Sequence, residues 1–453
     1  MYRYHLTASF RKDLHILEFE ELSELSTIKV HLPMVTSAGY FRYGLQTYIN
    51  ELRKLDIYPS EMGFDTMIIG LMVYIADMKI SRRKQSQDSW TREIMLSIPV
   101  FNDRWIEYKE TLERMLKFLT GDIWILKFYK RKIKFAEEDK EKQRTDKYKI
   151  ASLFSGGMDS LIAAINYMEQ GQPTLFVSHA GEPRVRKWQT DLLQYLDADY
   201  PNVLHKNAYL WTRLSDIKLP EADEDKNQRS RSFLFITIAI FAMSGMKKCN
   251  QLLMPENGLI ALNVPLDCTR IGSHSTRTTH PFYLKLWNEI AQDLFGFSIS
   301  NPYWNKTKGE MAAECLNKDE LRTIIGKSFS CSSVNNANIR SGHSQHCGHC
   351  LPCIIRRAAI YHAFGSYDSS EYLYSNVYDI ETNRGLVGEQ LRSFQYAIQK
   401  LKQNPNAKKV LIYKSGPLEN DEEYLTELSD MYYRGLMEVD QWIRDSRRKD
   451  NAG

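Results

Sequence analysis

Ser155-Gly156-Gly157-Met158-Asp159-Ser160 brings two hydroxyls, two glycines and a carboxylate together in one short run. Glycines let a backbone approach an anion closely, and hydroxyls can donate to it. A carboxylate beside bare phosphate is repulsive unless a divalent cation sits between them. Asp159 therefore reads as a Mg2+ ligand, with Ser155, Gly156, Gly157 and Ser160 as a phosphate cradle. No Gly-Lys-Ser/Thr follows, which excludes the Walker pattern. The bland alternative is a Ser/Gly turn that only joins a strand to a helix.

A second constellation is made of thiols. Three of the seven cysteines fall in Cys347-Gly348-His349-Cys350-Leu351-Pro352-Cys353, and Cys331 lies upstream across a loop rich in Ser, Asn and His. Four thiolates around one ion form a closed structural zinc site with no open position for chemistry. An iron–sulfur cluster, a redox pair, or His343, His346 or His349 in place of one thiol are the competing readings. Cys249, Cys268 and Cys315 are left as ordinary small apolar residues.

The third group is cationic. Arg270 to Pro281 carries two arginines, two histidines and many hydroxyls. Arg277 could hold a carboxylate or phosphate, and His280 could carry a proton. Alternatively Ser and Thr there merely cap a helix that begins at Pro281. Arg229 and Arg231 are similarly placed, and Arg231 is the stronger candidate because it opens an apolar helix.

Such residues need a scaffold, and the pattern supplies one. Strands are expected at 149–154, 173–179, 202–211 and 251–255, and helices at 160–170, 183–197, 231–244 and 281–295. That alternation predicts an α/β fold with a doubly wound parallel sheet, whose ligands lie at the carboxyl ends of the strands. Residues 146–365 form this unit. Residues 1–140 read as an α+β accessory domain, with a helix from Phe64 to Ile80, strands at Glu93–Val100 and Asp122–Tyr129, and a helix whose buried face includes Trp105, Leu112 and Leu116. Glu137 to Arg144 reads as a linker. Residues 366–453 form a mostly helical extension, with amphipathic helices at Glu389–Leu401 and Glu423–Ile443 around a strand at Val410–Tyr413.

At 453 residues the chain exceeds a single core. A net charge of +4 does not indicate nucleic acid. The basic run Arg82-Arg83-Lys84 reads as a solvated loop, with an acidic or RNA partner as alternative, and Lys130-Arg131-Lys132-Ile133-Lys134 continues into the mixed-charge linker. The apolar run Met67–Ala76 is too short to span a bilayer, and Met1 to Thr7 has no apolar signal region, so a cytoplasmic protein is expected. Clustered thiols then mean metal rather than disulfides.

The Ser155–Ser160 run, with its strand before and helix after, resembles the PP-loop of ATP pyrophosphatases. Those enzymes cleave ATP between the α and β phosphates and adenylate a substrate. Together with Cys331 and Cys347-Gly348-His349-Cys350-Leu351-Pro352-Cys353-Ile354-Ile355-Arg356, it resembles the QueC family of 7-cyano-7-deazaguanine synthases. Asn301-Pro302-Tyr303-Trp304-Asn305-Lys306-Thr307-Lys308-Gly309-Glu310 is similar to the family's Pro-then-Thr-Lys-x-Glu segment, and Arg231 stands where the family has an Arg before Phe-Leu. The likeness runs from Lys149 to about Gly365. It implies a PP-loop (HUP-type) fold, the cofactors ATP, Mg2+ and Zn2+, and functional roles for Lys308 and Arg231.

The departures redirect the expectation. Residues precede the PP-loop that family synthases lack, others follow Gly365, and the loop from Cys331 to Cys347 is longer. Pro255-Glu256-Asn257-Gly258 and the Asp267–Pro281 stretch replace an Asp-containing base-recognition segment. In this the chain is more similar to QueC-like subunits of bacterial anti-phage defence systems, the Qat system among them. The implied activity is adenylation of 7-carboxy-7-deazaguanine and its transfer to a nitrogen nucleophile, an amine of a partner protein. Alternatives are an ammonia-dependent nitrile-forming synthase, a nucleotide sensor without turnover, and a tRNA sulfur-transferase, which would need a free thiol such as Cys249 or Cys268.

Overall fold

The computed structural model describes residues 3–10, 27–86, 88, 90–135, 144–225, 228–267, 277–332 and 345–450, with no side-chain description at 449 and 450. Residues 137–143 of the expected linker and the loop residues 268–276, with Cys268, Arg270 and His274, lie outside the described residues, as does His343.

The first part contains β1 (Arg3–Ser9), β2 (Thr27–Pro33), α1 (Leu45–Lys54), α2 (Glu61–Lys79), β3 (Glu93–Val100), α3 (Lys109–Thr120) and β4 (Ile123–Lys130). Its sheet has the order β2-β1-β3-β4 and every pairing is parallel. The expected α+β arrangement is therefore corrected to α/β. Parallel strands need long crossovers, and α1 and α2 carry the chain from β2 past β1 to β3, while α3 joins the neighbours β3 and β4. Helix α2 is buried on nearly all faces from Gly63 to Lys79, the mark of a central helix rather than a surface one.

The second sheet follows with β5 (Ile150–Leu153), α4 (Met158–Glu169), β6 (Thr174–Ala180), α5 (Pro183–Asp199), β7 (His205–Trp211), α6 (Arg231–Met243), β8 (Gln251–Leu253), α7 (Gly258–Leu262), α8 (Pro281–Phe295) and β9 (Ser298–Ser300). Its order is β7-β6-β5-β8-β9, again all parallel. The chain runs outward from β5 in one direction and from β8 in the other. The loops after β5 and β8 therefore border the crevice at the point of reversal. Then come α9 (Lys308–Ala313), α10 (Leu351–Phe364), α11 (Leu386–Gln403) and α12 (Glu422–Asp450).

Three cores hold these layers. The largest joins both sheets through α2 and α6. Gly70 makes that approach possible, since a Cβ there would lie 1.9 Å from Thr237 Oγ1. A second core, built from α4, α5 and the opposite face of β5 and β6, continues onto α9 and α10. The third belongs to α7, α10, α11 and α12. Val410–Tyr413, expected as a strand, is helical: Lys408–Leu411 is α-helix and Ile412–Ser415 a 3-10 turn. Only Ile412 of that apolar run is buried, with Val410 71% exposed, as on a helical turn that presents one face to the core. No helix among the described residues is long and apolar enough to cross a membrane.

Arg82 of the first basic run is not solvated, which corrects the solvated-loop reading, and Arg131 of the second is buried too. Arg131 is buried against Glu61 and Asp65. Arg82 is buried in a network with Arg92, Asp77, Asp122 and Asp225. Asp77 also accepts from the Ser230 amide at 2.8 Å and hydroxyl at 2.9 Å, tying the first sheet to the residue before Arg231. Asp77→Ala leaves two buried guanidinium groups short of their counter-charge. We expect a loss of about 3–5 kcal/mol in urea unfolding, against a near-neutral effect for the exposed Arg83→Ala.

Candidate phosphate cradle and four-cysteine centre

The cradle begins where β5 ends. Gly156 has φ +80°, a left-handed conformation that favours glycine, and a Cβ there would lie 3.1 Å from Gln189 Cγ. The Gln189 amide in turn donates to Phe154 O and Ser155 O, both at 3.3 Å, fixing the loop from below. Ser155 Oγ accepts from Gly157 N at 3.3 Å and lies 3.3 Å from Ser160 Oγ. Ser155 is exposed while Gly156, Asp159 and Ser160 are buried, so the hydroxyl pair opens to solvent at the start of α4. Amides and a helix dipole at that end favour an anion. The strand, loop and helix expected around these residues are present.

Asp159 faces inward from the first turn of α4, towards the loop after β8. Its Oδ2 accepts from Asn257 N at 3.1 Å and Asn257 Nδ2 at 2.8 Å, and its Oδ1 lies 2.9 Å from Lys308 Nζ. Burial alone would raise this carboxyl. The Lys308 ammonium, with hydrogen bonds from Glu256, Lys308 and Asn257, outweighs burial and holds it below its ordinary value. Glu256 goes the other way, pushed well up by burial and then by the Asp159 charge. One carboxylate is thus ionised while its neighbour keeps a proton.

Asn301 holds Glu256 in place through both backbone groups, accepting from its N at 3.3 Å and donating to its O at 2.7 Å. Asn257 caps α7 by accepting from Ile260 N. Lys308 is the first residue of α9, behind a capping box of Thr307 and Glu310. A cation at a helix N-terminus opposes the dipole, so this buried placement is stabilised by Asp159 rather than by its own helix. Asp159 is the ionised carboxylate here, and Glu256 beside it offers a second oxygen ligand to a hard divalent cation once its proton is lost.

Arg231 opens α6 with its guanidinium 5.1 Å from the Phe235 ring centre, and it makes no ion pair among the described residues. Its charge, after burial, holds His179 well below its ordinary value. Arg277 and His280 are placed differently from the expectation. Arg277 donates to Phe118 O at 2.8 Å and stacks over the Phe118 ring. His280 caps α8, accepting from Phe282 N on Nδ1, while Nε2 meets Ser415 Oγ at 3.1 Å. Burial and then Arg277 lower His280 to about 3, so it stays neutral. These contacts make the pair a brace between α3, α8 and the Ile412–Ser415 turn, and none of them reaches the Asp159 group.

Cys331, Cys347, Cys350 and Cys353 are buried with their sulfurs within 4.8 Å of one another. Cys331–Cys350 and Cys347–Cys353 are each 3.9 Å apart. A tetrahedron of sulfurs on zinc, with bonds near 2.3 Å, has edges of about 3.8 Å, so the donor set fits that ion. Cys347 N donates to Cys331 Sγ at 3.4 Å and Cys350 N to Cys347 Sγ at 3.3 Å, as thiolate acceptors require. His346 instead stacks on Phe329 with centroids 4.6 Å apart.

The residues missed by sequence reasoning join the two centres. Phe329 N donates to Gly156 O at 2.9 Å, and Met158 N donates to Ser330 Oγ at 3.2 Å. Phe329 also stacks on Trp188 of α5 at 3.8 Å. Phe329 and Ser330 immediately precede Cys331, and that adjacency was the only available signal. Glu256-Asn257 was expected at a strand's carboxyl end beside the Ser155–Ser160 loop, but its direct meeting with Asp159 depends on the sheet order. No family model, curated protein or solved structure matches the chain.

Proposed function

We propose that this protein is an ATP-dependent carbon–nitrogen ligase that adenylates a carboxylate and passes the acyl group to an amine. From the QueC resemblance the carboxylate belongs to 7-carboxy-7-deazaguanine, and the amine to a partner protein in an anti-phage defence system. The observation that carries this reading is the Asp159–Lys308 pair, with Asn257 and Glu256, beneath the Ser155–Ser160 loop at the point of sheet reversal.

In this reading the loop amides and the Ser155 and Ser160 hydroxyls hold the outer phosphates of ATP. Lys308 neutralises charge building on the leaving pyrophosphate. Asp159, joined by Glu256 on loss of its proton, would hold Mg2+, which adds to that neutralisation when bound. Arg231 orients the incoming carboxylate. A carboxylate oxygen bonds to the α phosphorus as the bond to the β phosphate breaks, and pyrophosphate leaves. The amine nitrogen then bonds to the acyl carbon, AMP departs with the electron pair, and the amine loses a proton. The four-cysteine centre would hold Zn2+ as architecture and take no part in these steps.

The sulfur-transfer alternative finds no support in Cys249, whose thiol burial pushes up to about 12, and its other candidate, Cys268, lies outside the described residues. A full-length enzyme is the right test object, because α2 and α6 share one core and removal of residues 1–140 would open it. Purified protein is incubated with ATP, Mg2+ and labelled pyrophosphate, with and without 7-carboxy-7-deazaguanine. Carboxylate-dependent exchange supports the reading, and its absence sinks it. A nitrile formed from ammonia, with no protein adduct by mass spectrometry, would favour the simple synthase.

A further inference from the structure

Both arms that contact Asp159 rest on the C-terminal helix α12. On the Asn257 side, a Cβ on Gly258 would lie 2.7 Å from Met431 Sδ, and one on Gly435 would lie 3.1 Å from Leu259 Cδ2. On the Lys308 side, Glu438 accepts from the Thr307 hydroxyl and, at 3.3 Å, from Gly309 N. Thr307 and Gly309 are the residues on either side of Lys308. Arg434 adds bonds to Glu310 at 2.5 and 3.2 Å and donates to Asn305 O at 2.9 Å.

Nothing in packing alone requires a carboxylate at 438. Its side chain is 9% exposed, and Glu310 of α9, Arg434 of its own helix and His362 of α10, 3.9 Å away, are the charged or titratable groups that face it. Burial, and then Glu310, push it up to about 7. An apolar residue or Gln would fill the space at lower cost. What Glu438 alone supplies is a pair of acceptors aimed at the backbone and cap that carry Lys308.

We propose that Glu438 and Arg434 are positioning residues that set Lys308 against Asp159, so that the C-terminal helix governs the readiness of the cradle. The catalytic consequence rests on the ligase reading, whereas the positioning itself does not. The test is competitive acetylation of the full chain with limiting acetic anhydride, followed by mass spectrometry of the Lys308 peptide.

In the unaltered protein Lys308 is shielded, being 5% exposed and paired. Glu438→Ala should raise its acetylation about fivefold through local opening, with the other lysines unchanged, and Glu438→Gln should restore most of the shielding. Arg434→Met, at a side chain 44% exposed, carries the same test if the alanine variant fails to fold. If the unaltered protein shows pyrophosphate exchange, kcat should fall by about 10- to 100-fold in Glu438→Ala with little change in KM for ATP. Lys308 acetylation equal to the unaltered protein in both Glu438→Ala and Arg434→Met overturns the proposal. An unaltered protein without exchange sinks the ligase reading, and the acetylation result still decides the positioning.

Discussion

Asp159→Ala loses pyrophosphate exchange by at least about 10³-fold, and it also loses stability, because Lys308 is then a buried ammonium without its partner. Breaking one side of a buried pair costs about 3–5 kcal/mol. A lost activity could therefore be mistaken for a lost fold. The double variant Asp159→Ala, Lys308→Met separates the two effects. It removes both charges, so the desolvation cost disappears and urea unfolding should recover much of the single variant's loss. Exchange should remain absent, since the Asp159 carboxylate no longer serves the metal and no ammonium answers the leaving group. A double variant that regains stability and turns over ATP would remove Asp159 and Lys308 from the chemistry.

The sequence made four of the second sheet's five strands legible through apolar segments alternating with helices at short intervals, whereas β9, only Ser298–Ser300, was not expected. Ser155 to Ser160 stood out for the same local reason. The four cysteines were equally legible, since ligand spacing is a property of one short segment plus Cys331. What stayed hidden was set by topology. Glu256 and Asn257 meet Asp159 only because β8 lies beside β5, a pairing that no local pattern encodes. Arg82 lies in a run of three cations, and only the position of Asp77, Asp122 and Asp225 around it decides that it is buried. His280 was misleading in the opposite sense: a histidine before proline at a helix start is chemically apt as a cap, and its contacts with Ser415 and Phe118 come from segments far away in the chain. The all-parallel first sheet was missed because β1 and β2 are single short runs whose partners are distant.

Removing the metal should have the other large effect, and it should reach the cradle before it reaches the fold. A structural zinc site contributes about 10–16 kcal/mol of apparent binding free energy, so Cys350→Ser should bind little metal and unfold at markedly lower temperature. Metal analysis of the unaltered protein should give close to one zinc per chain, consistent with the four-sulfur set. The first consequence follows from the chain itself. Cys331 anchors Phe329 and Ser330, which hold Gly156 O and Met158 N of the cradle. When a chelator frees Cys331, those two contacts lose their tether while the strands of the sheet are still paired. Titration with a zinc chelator should therefore abolish the thermal protection given by pyrophosphate or ATP at a chelator level where far-UV circular dichroism is unchanged. If nucleotide protection and helical signal are instead lost together, the four-cysteine centre supports the fold without a separate hold on the cradle. A metal-free protein of full stability would show that the four sulfurs hold no structural ion.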